Sequence, residues 1–278
     1  MSETRLLIVN ADDYGLTPGV SRAVVLAHRE GIVTSTSVLA NGAAFAQTAR
    51  WLDEAPELAI GVHLAAVGED PPLLSRREIP TLCDGRGRLP RRWHQLTTRI
   101  VLGRVDPDDL SREFAAQIER VRQLGRPLTH LDAHQHVHLW PMVRDVVLEL
   151  ARRYSIPAIR VPRSSGRRLA GLAVCVLSRL LAEKASAQRL AYTDAFAGFD
   201  EAGRLEWSRL AKTIVALGRR VAGSAELCVH PGLSDDPARF RYGWGYRWSD
   251  ELQAVCAPAA RQAIRLAGFE LGTYRDLT

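Results

Sequence analysis

The sequence predicts an α/β fold, an incomplete or distorted (β/α) barrel of about seven mostly parallel strands. Three observations predict it. Short, almost wholly apolar runs recur along the chain, amphipathic helical patterns lie between them, and polar residues with chemical potential sit where the runs end. Continuous apolar runs suit strands buried on both faces, and their alternation with helices implies a parallel sheet, open or closed.

The first run, residues 6–9, leads into Asn10, Ala11, Asp12 and Asp13. A helix follows over Pro18–Arg29, with Thr17 as cap, Pro18 in the first turn and Gly31 as its stop. Residues 32–39 are rich in β-branched side chains, and residues 58–64 carry His63. Residues 107–124 read as a helix capped by Asp106 and stopped by Gly125, and residues 128–132 as a strand running into a histidine cluster. A helix over 141–154 precedes a strand over 158–161 that contains Arg160. After a helix over 205–217, a strand over 226–229 ends at His230, Pro231 and Gly232. A helix over 250–266 and a weaker strand over 269–274 close the series. The first strand leads into Ala11-Asp12-Asp13-Tyr14-Gly15, which lacks the glycine fingerprint of a dinucleotide fold. The chain, 1–278, reads as a single domain with insertions near 68–105 and 164–198.

Composition narrows the class. With 24% charged and 46% hydrophobic residues the chain is neither disordered nor fibrous. Cys83, Cys175, Cys228 and Cys256 are far apart, which excludes a zinc ribbon or a small disulfide framework and points to reduced thiols in the cytoplasm. No signal peptide is expected from the residues before the first strand, and no apolar stretch is long enough to span a bilayer. The net charge of +6 fits either an anionic partner or an arginine-rich solvated surface; no nucleic-acid partner is expected.

Asp12 and Asp13, His63, the cluster from His134 and His230 all fall at or just past the ends of apolar runs, the rim where α/β folds bind ligands. Two adjacent carboxylates at a buried strand end require a cation or donors. In His130-Leu131-Asp132-Ala133-His134-Gln135-His136-Val137-His138, three histidines share a face if the segment is extended; if it is helical, His134 and His138 share one and His136 leaves it. Asp132 could orient an imidazole. One carboxylate with two histidines forms a facial metal set with open positions, leaving the other aspartate as base and His230 as candidate general acid. Arg160 and Arg163 could pair with the remaining aspartate or with substrate. On ligand grounds the single divalent ion is Zn²⁺, with Mg²⁺ as the alternative. A metal phosphoesterase and a non-catalytic sugar- or lipid-binding protein are the competing readings.

These motifs, N-A-D-D-Y-G at 10–15, G-V-H-L at 61–64, T-H-L-D-A-H-Q-H-V-H at 129–138, I-R-V-P-R at 159–163 and V-H-P-G at 229–232, resemble the YdjC-like carbohydrate deacetylases across nearly the whole chain. The resemblance implies an incomplete α/β barrel that removes acetyl groups from amino sugars. It implies Asp12 as general base, Asp13, His63 and His134 as metal ligands, and His230 as general acid. The chain departs from the family's third motif at Ala133 and Gln135, which bears on contacts around the ligands rather than on the ligands. Within the family, residues 192–199 and the apolar stretch before them look most like the branch associated with hopanoid biosynthesis, which implies a lipid-linked amino-sugar substrate. In that stretch Leu169, Leu172, Ala173, Val176, Leu177 and Leu180 form a helical stripe beside Arg168 and Arg179. Such a stripe either rests in a membrane interface, making the protein peripheral to the inner membrane face, or faces the core.

Overall fold

A computed structural model of the protein describes residues 5–166, 168–220 and 223–277. Its central strand is β1 (Arg5–Tyr14), longer than the predicted run because the polar segment through Asp12 and Asp13 stays extended and buried. On one side β1 pairs with β2 (Ser35–Val38), which pairs with β3 (Ala59–Leu64), then β4 (Leu128–Ala133), then β5 (Ala158–Ile159). On the other side lie β7 (Ser224–Val229) and, at the edge, β6 (Ala195–Ala197). A final strand, β8 (Phe269–Gly272), pairs with Arg5–Ile8, below the level at which β2 joins β1. Every pairing is parallel, so seven strands in one path curl into a partial barrel with β8 as an addition.

Helices complete the alternation: α1 (Pro18–Arg29), a single turn α2 (Phe45–Thr48), α3 (Trp93–Val101), α4 (Pro107–Arg122), α5 (Pro141–Arg153), α6 (Leu169–Ala187), α7 (Trp207–Gly218), α8 (Trp248–Val255) and α9 (Pro258–Leu266). Thr17 caps α1 by accepting from the Val20 N–H at 3.1 Å, and Asp106 caps α4 by accepting from Asp108 at 2.9 Å. The predicted helix over 250–266 is two helices. Pro258 disfavours helical backbone at Ala257, which is extended, and restarts the helix in a new direction. The strand β6 falls inside the expected insertion 164–198 and was not anticipated, since three residues carry no readable periodicity. It has a structural reason: Ala191 bridges Ala158 of β5, and a few residues later the same chain joins β7, so this segment draws the two sheet edges together.

The stretch 68–105 is held down by one face of α4. Glu113 accepts from the N–H groups of Leu73 and Leu74, at 2.9 and 3.0 Å, and Asp109 accepts from Thr81 at 2.7 Å. Gln117 bonds both backbone groups of Ala65 at 2.8 Å. All three side chains are buried at i, i+4 and i+8 of the helix, so a loop without its own ladder has its backbone satisfied by side chains.

Candidate active site

A bulge makes the site. Between β1 and β2 the register runs from Ala11↔Thr36 to Tyr14↔Val38, so β1 carries one extra residue at Asp12–Asp13. Asp13 has φ of 68°, a left-handed value that aspartate tolerates better than most residues. The bulge turns two sequence neighbours toward different partners, both within the barrel mouth.

Asp13 Oδ1 lies 3.5 Å from His63 Nε2 and 3.3 Å from His134 Nδ1, and the two ring nitrogens are 3.3 Å apart. The three residues are buried, and Asp13 Oδ1 has no hydrogen-bond partner. Three facing acceptor atoms in a buried space repel one another unless a proton or a cation sits between them, so this donor set fits a divalent ion. His63 is oriented by Asp132, whose Oδ1 meets its Nδ1 at 2.9 Å and so directs Nε2 at Asp13. Burial opposes a charge on His63, but Asp132, Asp12 and Asp13 outweigh it and lift its pKa to about 9.

Asp12 faces the other way. Arg160 NH1 and NH2 each donate to it at 2.7 Å, and Asn10 Nδ2 donates at 2.8 Å. Burial penalises its charge, yet Arg160 and the nearby imidazoles hold its carboxyl well below the usual range. Arg160 is fully buried and central: it also pairs with Asp132, and its Nε donates to Glu226 at 2.8 Å. Glu226 in turn accepts from the Tyr274 hydroxyl, and burial raises it to about 7 despite Arg160. Ser37 joins Asn10 and Asp132, at 2.9 Å each. Gly61 is required here by close approach: a Cβ at this position would meet the His130 ring at about 2.4 Å, and His130 packs behind Ser37 at 3.1 Å.

The histidine cluster adopts neither simple geometry. Residues His134–Leu139 form a tight turn in which Gln135 and His136 both have φ of 52°. Consequently His134 enters the Asp13 group, while His138 turns inward and its Nε2 meets the Arg160 carbonyl at 3.1 Å. His136 stacks on Phe199, with ring centroids 4.9 Å apart. Gln135 ties the first insertion to this turn, accepting from Trp93 N and donating to Arg91 O at 2.9 Å each. His230 is buried, stands within 4.8 Å of Asp12, and keeps an Nδ1 without a hydrogen-bond partner. Its backbone N–H donates to Glu251 at 2.6 Å. Arg163 is not brought to this group and lines a separate cleft with Phe196.

Sequence reasoning marked Asn10 but missed the rest of the floor, Ser37, Glu226 and Tyr274, and also the roof. Trp244 lies 5.2 Å from the His134 ring and Tyr246 lies 4.9 Å from the His230 ring. The roof is fastened to the first insertion: Arg241 and Tyr242 reach Asp70 at 2.8 Å each, and Trp244 Nε1 reaches Glu69 at 3.2 Å. The aromatic density of Tyr242-Gly243-Trp244-Gly245-Tyr246 was the signal available for it.

The YdjC-like protein family model matches residues 6–266. A carbohydrate deacetylase of Brevibacillus brevis is 30% identical over 276 residues, covering 98% of this chain and 99% of the relative. A chitooligosaccharide deacetylase of Proteus mirabilis is 32% identical over 275 residues, covering 98% of each. A solved Enterococcus faecalis structure, described as a cellobiose-phosphate cleavage protein, superposes with a TM-score of 0.82 at 26% identity, covering 99% of this chain and 100% of that one. A Bacillus anthracis pseudoenzyme of the CE4 family shares the fold, with a TM-score of 0.51 at 8% identity over 100% of this chain and 66% of its own. Matched over nearly all its length, this chain belongs to the YdjC-like family.

Proposed function

We propose that the protein is a metal-dependent deacetylase that hydrolyses the N-acetyl group of an amino sugar to acetate and a free amine. The observation that carries the proposal is the buried Asp13 Oδ1 facing two imidazole nitrogens at 3.3 and 3.5 Å, beside an Asp12 that Arg160 keeps ionised. The deacetylase names of the relatives supply the substrate class.

Asp13, His63 and His134 would hold one divalent ion, Zn²⁺ on ligand grounds with Mg²⁺ as the alternative. When bound, such an ion supplies Lewis-acid polarisation of the amide carbonyl and of a water. Asp12 takes the proton of the attacking water; its charge is maintained by Arg160, which Asp132 and Glu226 hold in place. His230, whose Nδ1 has no hydrogen bond and stands 4.0 Å from Glu251 Oε2, gives a proton to the departing amine. Trp244 and Tyr246 offer flat apolar faces on which a pyranose ring stacks. His136, His138, Asp132 and Arg160 act behind these residues, through the turn and the floor.

The finer reading is a lipid-linked amino sugar of the hopanoid type, met by a cytoplasmic protein in peripheral contact with a membrane. Residues 192–199 support the branch, and four free cysteines suit a reducing compartment. In this reading 1–278 acts as one domain, its insertions flanking the mouth.

The test is acetate release by metal-loaded protein from N-acetylglucosaminyl substrates, free and lipid-linked. Release that stops on chelation and returns with zinc supports the assignment. No release from any of them, or full activity in Asp12→Asn, rejects it.

A further inference from the structure

A cleft of about 470 Å³ lies apart from the group around Asp13. It opens between the loop after β5 and one face of α7. Arg163 lines it from the loop, and Arg209 and Lys212 line it from the helix, with Arg220 just beyond the helix end. Phe196 and Leu217 add apolar lining. Among the described residues no carboxylate lies within ion-pair distance of any of these four cations. The two acids in the cleft accept hydrogen bonds from neighbouring serines and backbone. Asp200 accepts from Ser164 Oγ and Ser165 Oγ at 2.8 Å and from Ser165 N at 2.6 Å, and Glu201 accepts from Gly198 N at 3.2 Å. The Arg163 Nε is a buried donor with no acceptor. Four cations against two carboxylates around a concave site leave a net positive field that an anion of phosphate size satisfies.

The same loop runs into α6, and α6 answers the question its pattern left open. Leu169, Leu172, Val176 and Leu180 are 87%, 53%, 60% and 41% exposed, whereas Gly171, Ser178, Leu181, Ala182 and Ala185 pack inward. Most of the apolar stripe therefore faces outward, with Arg168 and Arg179 beside it, while Leu177 of the same stripe packs against the core. No helix among the described residues is long and apolar enough to cross a membrane. A second copy of the chain would bring these unpaired cations against themselves, which disfavours self-association across this face.

We infer that the cleft between residues 163–166 and α7 is a binding site for the phosphate of an anionic membrane lipid. It would be engaged while the α6 stripe lies in the adjoining interface. The inference rests on the peripheral membrane contact proposed above, and it adds the headgroup charge that the surface selects and the residues that select it. Docked this way, the cleft is one ring away from the reaction centre, because Phe196 in its lining also stands 5.7 Å from the Arg160 guanidinium.

Co-sedimentation without substrate tests it, using vesicles of phosphatidylcholine alone and of phosphatidylcholine mixed with phosphatidylglycerol. The native chain should favour the anionic vesicles by about tenfold or more, less so as salt is raised. Arg209→Ala with Lys212→Ala should abolish that preference, and Arg220→Gln, on an exposed turn, should weaken it. Leu172→Asp with Val176→Asp should abolish binding to both vesicles. Unchanged anionic preference in both charge variants overturns the headgroup site, and no binding of native protein to either vesicle overturns the membrane face. Acetate release from a soluble substrate, measured without vesicles, should be the same in all variants, which separates either failure from failure of the deacetylase assignment.

Discussion

Two regions of this molecule invert the usual rule of burial, in opposite directions. Beneath the site and along α4, charged and amide side chains are buried: Arg160 with Asp12, Asp132 and Glu226, and the row Asp109, Glu113 and Gln117. On α6, by contrast, large aliphatic side chains stand in solvent. The first insertion, rich in proline, glycine and arginine, is the one tied down, while the strongly apolar second insertion leaves a face open. Burial of polar groups is tolerable where each finds a partner, and exposure of apolar groups is informative where they are contiguous. Polarity of a segment thus says less about its depth than the number of partners its backbone and side chains find.

The sharpest way to break this comparison is Arg160→Met. It leaves three carboxylates buried around a neutral side chain, so stability should fall by about 3–5 kcal/mol. Turnover should fall by about a hundredfold or more as Asp12 loses its anchor. Urea unfolding and acetate release read the two effects; native-like stability would mean that the floor network contributes little. Glu113→Ala should cost about 1–3 kcal/mol, because the N–H groups of Leu73 and Leu74 lose their acceptor. Limited proteolysis should then cut within 68–105 faster than within α6.

Acid sharpens the contrast further. Burial holds the His138 pKa down to about 4 and that of His130 to about 3, against about 6.5 in an unfolded chain. Below pH of about 6.5 the unfolded state binds protons that these folded residues refuse. Their stabilisation is therefore complete above about 6.5 and is lost as pH falls through that value toward about 4 and 3. Denaturation midpoints measured across this range should decline on acidification, and His138→Gln should flatten the decline above about pH 4. The smallest effect belongs to the exposed face: Leu172→Ser should change stability by no more than about 0.5 kcal/mol. A loss several times larger would place that leucine in a packed environment.

The sequence by itself determined the elements whose signals are local. Apolar runs marked seven of the eight strands, Thr17 and Asp106 marked helix starts, and the polar residues at run ends brought Asp12, Asp13, His63, His134 and His230 to one mouth. Only tertiary structure decided the bulge that sends Asp12 to Arg160 and Asp13 to the imidazoles, and the turn that separates His134 from His136 and His138. It also decided the Glu226–Tyr274 support, the aromatic roof held by Glu69 and Asp70, and the outward face of α6. The reason is range. Caps and periodicity act within a turn or two, whereas Arg160 and Asp12 are 148 residues apart, and whether a side chain points to a partner or to water depends on what the rest of the chain places opposite it.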